Sequence, residues 1–388
     1  MLSLALPIAA LAQDVTWMNG QTRQRDFPLA TLSKHVTFSV YLDSYFAYST
    51  HRPSDHTIVG SASLGRHGEF QLNLASVGME WNYRNVIGRL SLQTGDMLNL
   101  IQDLDGSVTR GRNVTTTNLH NIREATAGYH WDVDGGINLE AGIFMSYIGL
   151  ESYLLAENWS YSRSLVCDFT PFYFQGLRLQ YFPNARWKVE PWIMNGWQTY
   201  GAWNDVPPVG LSTSYRPRES LGFVANFYYG ADTRDEPARK RFHSDHSVLA
   251  RYFNAPQSGG VSKAAFSINN HLGFERGGTL PLNGSFLGTA VANRVWIHKD
   301  QLALTLRGEL VSNPLRYLTI PPTPSGFPDT GTSMRLRGVT TTLDLMPTDF
   351  LAWRFEYLGR AASVPYFAGR TGYSRTQHLL SASVNFRL

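Results

Sequence analysis

Oppositely charged side chains recur two residues apart along this sequence. Arg307 precedes Glu309, and Arg354 precedes Glu356 in the same way. This spacing places both side chains on one face of an extended strand, because successive residues of a strand point to opposite faces. Rows of such charges along a water-filled path bias which ions pass through it. The chemistry that the spacing suggests is therefore electrostatic selection of solutes, without a catalytic step.

The charged residues belong to segments of about ten residues in which apolar and polar positions alternate. Between residues 302 and 311, Leu304 and Leu306 share one face. Thr305 and Arg307 lie on the opposite face. A face of leucines needs lipid or a protein core, whereas a face of charges needs water. The alternation therefore predicts β-strands that separate an apolar from an aqueous environment.

Two lengths of connector join these segments. Short connectors, such as residues 82–85 and 132–135, alternate with long ones, such as residues 99–121 and 149–170. A soluble sandwich also alternates, but short turns at one end and long loops at the other are typical of a transmembrane barrel. An even strand number requires one further strand, which residues 209–215 supply. We predict an all-β, transmembrane, antiparallel up-and-down β-barrel of about 16 strands, with short periplasmic turns and long extracellular loops.

A barrel of this size is too wide for side chains alone to fill. Its predicted lumenal face carries charges of both signs with a basic excess, because a Lys or Arg facing lipid at mid-depth would cost about 2–4 kcal/mol. This predicts a hydrated pore with a slight preference for anions; the alternative is a plug of mutually paired side chains. The pore-lining candidates are Arg89, Arg178, Lys188, Glu190, Lys263, Arg294, Arg307, Glu309, Arg354 and Glu356.

The long connector at residues 149–170 mixes polar and aromatic residues. Folded into the barrel, it would form a constriction, with Glu151, Glu157 and Arg163 as candidate lining charges. An external lid is the alternative, and the sequence leaves both open.

Composition and motifs exclude several other functions. Of the 388 residues, 16% are charged, and Lys and Arg outnumber Asp and Glu by 34 to 30. No long basic run could follow a phosphate backbone, so nucleic acid is not an expected partner. HExxH, GxSxG, P-loop and GxGxxG motifs are missing, and the group from His243 to His246 is a weak metal candidate. We predict no catalytic residue, no metal and no cofactor; a barrel enzyme such as a phospholipase is a minority alternative.

The N-terminus resembles a secretory signal peptide. Residues 2–9 form a short apolar core, and residues 10–12, Ala-Leu-Ala, match the A-x-A cleavage pattern. We therefore predict a signal peptide at residues 1–12, with a frayed apolar tail as the alternative. Residues 13–34 show no clear period and are predicted to form a periplasmic or lumenal segment, followed by a single transmembrane β-barrel domain at residues 35–388.

Several residue runs resemble one known family. They are Leu42-Asp43-Ser44-Tyr45-Phe46-Ala47-Tyr48, His51-Arg52-Pro53, Gly65-Arg66-His67-Gly68-Glu69-Phe70-Gln71-Leu72-Asn73-Leu74-Ala75, Ile148-Gly149-Leu150-Glu151, Asn158-Trp159-Ser160-Tyr161-Ser162-Arg163-Ser164, Pro171-Phe172-Tyr173-Phe174-Gln175-Gly176 and Asn195-Gly196-Trp197. Together they resemble the OmpL-like β-barrel porin family. The resemblance implies a bacterial outer-membrane barrel with porin activity, without an assigned substrate or catalytic residue.

These features lead to one functional hypothesis: an outer-membrane porin-like channel for passive diffusion of small hydrophilic solutes. An adhesin or structural surface barrel is the alternative. The expected partners are outer-membrane lipid and lipopolysaccharide, small hydrophilic solutes, and the barrel-assembly machinery, which would bind the last strand ending in Phe386-Arg387-Leu388. The oligomeric state stays open, with a homotrimer as one alternative.

Overall fold

Sixteen antiparallel strands close into one barrel in the computed structural model of the chain. The structure describes residues 14–20, 36–102, 105, 119–233, 235–279, 284–314, 318 and 334–388. The predicted signal peptide, at residues 1–12, lies outside these described residues. Consecutive barrel strands pair with each other, and the first strand closes the barrel against the last, with Leu42 opposite Phe386. The predicted fold class is confirmed.

The strands follow each other along the chain with few helices between them. The barrel strands are β1 (Val36–Ser49), β2 (Phe70–Tyr83), β3 (Val86–Thr94), β4 (Ile122–Trp131), β5 (Ile137–Met145), β6 (Tyr173–Asn184), β7 (Trp187–Met194), β8 (Val209–Arg218), β9 (Leu221–Gly230), β10 (Lys240–Asn254), β11 (Val261–Arg276), β12 (Gly284–Ile297), β13 (Leu302–Asn313), β14 (Met334–Thr348), β15 (Leu351–Ala362) and β18 (Thr376–Arg387). The connector before β18 contains a small hairpin of β16 (Phe367–Gly369) and β17 (Gly372–Ser374). The helices are α1 (Asp96–Gln102), α2 (Leu165–Asp168) and a short 3₁₀ helix (Leu155–Glu157). The strand β8 contains the segment that strand parity predicted.

The short connectors are tight turns at one end of the barrel. Between β2 and β3, Arg84 and Asn85 have φ angles of 51° and 65°. Two consecutive residues with positive φ form the type I′ turn, whose twist matches that of the flanking strands. Local turn geometry thus sets the pairing register in which β3 returns beside β2.

The two faces of the wall differ as the alternation predicts. On β13, Leu304, Leu306 and Leu310 point outward and are 47%, 56% and 64% exposed, whereas Arg307 points inward and is 1% exposed. Leucines in such positions gain about 1.5–3 kcal/mol each when an apolar medium covers them. The outer surface of the barrel therefore matches the apolar core of a membrane. No helix in the described part of the chain has the length and apolar composition needed to cross a membrane.

Candidate functional site

The connector between β5 and β6, residues 146–172, folds back into the barrel, and we call it the inner loop. Arg307 reaches it from the wall, donating hydrogen bonds to the Ser162 carbonyl at 2.7 Å and to the Glu151 carboxylate at 2.9 Å. All three side chains are buried. Of the two arrangements that the sequence leaves open, the structure shows the loop inside the lumen.

Carboxylates of the wall hold the backbone of the inner loop from the same side. Glu356 accepts hydrogen bonds from the amides of Tyr161 at 2.8 Å and Ser162 at 3.1 Å. Glu309 accepts one from the amide of Leu165 at 2.6 Å. Leu165 begins α2, where the first amides of a helix have no partner within the helix. These wall carboxylates therefore satisfy buried amides that would otherwise lack an acceptor.

Two further arginines bind loop carbonyls and share one carboxylate. Arg354 donates to the carbonyls of Leu155 at 2.8 Å and Asn158 at 2.6 Å. Arg354 and Arg294 both form ion pairs with Asp344, at 2.9 Å and 2.6 Å. A buried guanidinium is tolerated only when it is paired and hydrogen-bonded, and both conditions are met here.

The inner loop also contacts the seam where the barrel closes. The Asp43 carboxylate on β1 accepts hydrogen bonds from Asn385 on β18 at 2.8 Å and from the Tyr161 hydroxyl at 3.1 Å. Asn73 on β2 donates to the same carboxylate at 3.0 Å. We call this side of the lumen, formed by the inner faces of β10–β15, β18, β1 and β2 with the inner loop, the packed half.

Residues 14–20 lie inside the barrel and pack against the inner loop. The Trp159 side chain donates to the Trp17 carbonyl at 3.0 Å, and the Trp159 amide donates to the Asn19 side chain at 2.9 Å. Trp17 and Trp159 are 0% and 1% exposed. Residues 14–20 therefore lie in the lumen against the inner loop, whereas the assignment of residues 13–34 as a whole stays a prediction.

The single cysteine lies in α2 within this packing. Cys167 is fully buried, and its thiol lies 3.5 Å from the Asn269 side chain. Burial raises the pKa of the Cys167 thiol to about 12. Since the thiolate is the nucleophilic form, the residue is protected from alkylation while the inner loop stays in place.

A cavity lies on the other side of the lumen, between the inner loop and the inner faces of β3–β9, which we call the cavity half. The space between its lining atoms amounts to about 890 Å³, a figure that includes solvent outside its open mouth. Its charged lining residues are Arg89, Glu124, Arg178, Lys188, Glu190 and Arg216, accompanied by Ser212 and Ser214. Four cationic side chains and two carboxylates thus line it, and a third carboxylate, Glu140, lies behind Arg178 at 2.7 Å.

The cavity charges pair with carboxylates along the wall. Arg178 pairs with Glu140 at 2.7 Å, and Lys188 pairs with Glu190 at 3.3 Å. Arg89 lies at 3.9 Å from Glu124, beyond hydrogen-bond distance. Arg89, Arg178 and Lys188 thus border the open volume while each lies near a carboxylate.

Aromatic side chains cover part of the wall above the cavity charges. Tyr147 of the inner loop stacks on Trp192 with ring centroids 5.0 Å apart, and its hydroxyl donates to the Phe227 carbonyl at 2.8 Å. Sequence reasoning did not identify Tyr147 as lumenal. In the structure Gly210 on β8 leaves room for it, because a Cβ atom there would lie 1.9 Å from the Tyr147 hydroxyl; nothing in the sequence connects the two residues.

The candidates from the sequence separate into distinct places. The cavity is lined by Arg89, Arg178, Lys188 and Glu190, whereas the inner loop in the packed half is faced by Arg294, Arg307, Glu309, Arg354 and Glu356. Lys263 pairs with Asp300 beside the turn between β12 and β13. Within the loop, Glu151 and Arg163 are buried, and Glu157 ends the 3₁₀ helix. Lining of a conducting path stays a prediction for each of them.

Sequence comparison assigns the chain to a family. A family model matches residues 35–388. The chain belongs to the family described as Putative beta-barrel porin-2, OmpL-like. The resemblance drawn from the sequence is thereby confirmed, and with it a location in the bacterial outer membrane. No curated protein sequence matches the chain.

Solved outer-membrane barrels share the fold of this OmpL-like chain. An anion-selective porin from Comamonas acidovorans has 7% identity and a TM-score of 0.58, with 91% of this chain and 99% of that chain covered. The trimer form of OmpT from Vibrio cholerae has 10% identity, a TM-score of 0.56 and the same coverage. The channel DcaP of Acinetobacter baumannii has 10% identity and a TM-score of 0.51, covering 91% and 97%. At such low identity these likenesses concern the fold alone.

Proposed function

We propose that this OmpL-like barrel is a passive channel for small hydrophilic solutes with a slight preference for anions, and that its path runs through the cavity half. The observation that carries the proposal is the cavity itself, where four cationic side chains and two carboxylates face open volume. The family and the barrel fold support a channel role. One of the similar barrels is described as an anion-selective porin.

The packed half supports the same placement of the path. Arg307 there is 1% exposed, and its guanidinium is occupied by contacts with the inner loop. A solute passing on this side would have to displace several buried ion pairs, each costly to separate. In the cavity half, a solute passes beside charged side chains that already border open volume. We assign the chain no enzymatic activity.

The test is conductance in a planar lipid bilayer with a salt gradient. We expect stepwise conductance and a reversal potential whose sign shows that anions pass more readily than cations. The double variant Lys188→Gln, Arg216→Gln removes two lining cations and should move the reversal potential toward cations. The matched control is Arg186→Gln, Arg218→Gln, which removes two exposed cations at the same end of the barrel.

Each outcome bears on a different part of the proposal. Without stepwise conductance, the chain is no channel, and loss of a surface ligand on shortening the external loops would then favour an adhesin. If the lining variant and its control leave the same reversal potential, the path does not run through the cavity. A shift confined to the lining variant supports both the channel and its path.

The proposed assembly is a homotrimer, since one of the similar barrels was solved in a trimer form. Light scattering of the purified protein distinguishes one copy from three. Lipopolysaccharide and the barrel-assembly machinery, with Phe386 to Leu388 as its docking segment, stay predictions as partners.

A further inference from the structure

Two arginines face outward from the barrel wall at the end that carries the long connectors. Arg335 and Arg337 lie near the start of β14 and are exposed, whereas Met334, Leu336 and Gly338 alternate with them and are buried. Both guanidiniums therefore project away from the lumen, toward the surface that lipid covers. In an outer-membrane barrel with periplasmic turns, this end lies in the outer leaflet.

Three of the side chains beside the two arginines on the neighbouring strands are small: Ser312, Ala361 and Ser363. In the strand pairing, Arg335 lies opposite Ser312, and Arg337 lies opposite Leu310 on one side and Ala361 on the other. A groove crosses β12–β15 at this level. Its outward lining is Leu287, Thr289, Leu310, Ser312, Ala361 and Ser363, together with the two arginines. The small residues leave room beside the guanidiniums for a bulky headgroup.

No carboxylate among the described residues pairs with either of the two arginines. Within the residues that the structure describes, neither guanidinium forms an ion pair or a side-chain hydrogen bond. A cation facing lipid is costly at mid-depth and nearly free of cost at headgroup level, where phosphate can pair with it. The position of the two arginines on the outer wall therefore matches the depth of anionic lipid headgroups.

The surface beneath the pair is apolar. Leu306, Val339 and Leu343 point outward below it and are 56%, 50% and 42% exposed. Cations above a strip of exposed aliphatic side chains complement an amphiphile with phosphate at its head and acyl chains below. Two residues along a strand span about 6.6 Å, so the guanidiniums can engage separate phosphate oxygens or separate phosphate groups.

We propose that Arg335 and Arg337 bind the phosphates of lipid A, the phosphorylated glycolipid that anchors lipopolysaccharide in the outer leaflet, with an acyl chain along the groove of β12–β15. The site lies on the outer wall and is independent of the lumenal path. It holds whether or not the cavity conducts.

The experiment measures lipid binding to the purified, folded barrel in detergent by native mass spectrometry. The probes are lipid A, lipid A freed of phosphate, and phosphatidylglycerol. R335Q/R337Q is compared with the wild type and with the matched control K240Q/R276Q. Lys240 and Arg276 are register partners at the same end of β10 and β11, so the control removes the same charge from another part of the outer wall. Heat-modifiable migration on a gel verifies that each variant is folded.

We expect R335Q/R337Q to bind lipid A at least tenfold more weakly, and the control to change binding less than twofold. Removal of phosphate from lipid A should abolish the difference between wild type and R335Q/R337Q. Unchanged binding by R335Q/R337Q overturns the proposal. If the control loses as much lipid A binding as R335Q/R337Q, binding depends on the general surface charge. If the wild type binds phosphatidylglycerol as tightly as lipid A, the site has no selectivity for lipid A. Either result also overturns the proposal. If the double variant does not fold, the single variants R335Q and R337Q decide the question, with about a threefold loss expected for each.

Discussion

The packed half and the cavity half carry the same residue types on the same wall, but these residues make different contacts. Arg307 is 1% exposed, whereas the Lys188 side chain is 12% exposed and pairs at 3.3 Å with Glu190 beside open volume. What differs is the opposite surface, which is loop backbone for Arg307 and a cavity for Lys188. A charge on a lumenal face therefore becomes a structural anchor or, as we propose for Lys188, a solute contact, according to what lies across from it.

The largest effect is expected on the packed side. Arg307→Ala leaves the Glu151 carboxylate buried without its cation, which typically costs about 3–5 kcal/mol. The inner loop should loosen, so that Cys167, now buried with a raised thiol pKa, becomes accessible. Alkylation of Cys167 should accelerate at least a hundredfold. The control Arg186→Ala should keep the wild-type rate, and an unchanged rate in Arg307→Ala would contradict the anchoring role.

Added side-chain volume should affect the cavity half and the packed half differently. Ser214→Trp adds a large ring beside the cavity and should reduce conductance to about half or less while the barrel stays folded. Ser162→Trp adds the same ring to a fully buried position, where overpacking costs about 1–3 kcal/mol. It should increase Cys167 alkylation. If both variants change conductance equally and neither exposes Cys167, the two halves do not differ in packing as the structure shows.

The smallest effect is expected at the edge of the packed half. Asp14 forms an ion pair with Arg251 at 2.7 Å, and its side chain is 33% exposed. Arg251 keeps a second partner in Glu219 at 3.0 Å. Asp14→Ala should therefore lower the free energy of unfolding by about 1 kcal/mol or less, as is usual for partly exposed pairs. Chemical denaturation measures this change, and a decrease of more than about 3 kcal/mol in the free energy of unfolding would place this pair among the main anchors of the packed half.

The barrel wall could be predicted because its determinants are local. Alternation between residues 302 and 311 and the tight turn at residues 84–85 each depend on a few neighbouring positions. Strand parity then located β8, whose own alternation is weak. Each of these rules acts within one strand or one turn, so one sequence is enough to apply them.

The division of the lumen could not be predicted in the same way. Arg307 and Ser162 are 145 residues apart, and Asp43 and Asn385 are 342 residues apart. No periodicity connects such positions, since their contact depends on the path of the inner loop through the barrel. The inward orientation of the Arg307 side chain was therefore predictable, but its contact with Ser162 was not.

The hydrogen bonds of Asp43 set a condition on biogenesis. A barrel is complete when its first and last strands meet, and at this seam Asp43 contacts both Asn385 of the last strand and Tyr161 of the inner loop. If the seam closed with the loop outside, the carboxylate would face the lumen, and water would take the place of the Tyr161 hydroxyl. The full set of protein donors to Asp43 therefore exists only once the seam has closed and the loop has entered, so that a chain inserted in the membrane with its loop still outside is an incomplete assembly intermediate.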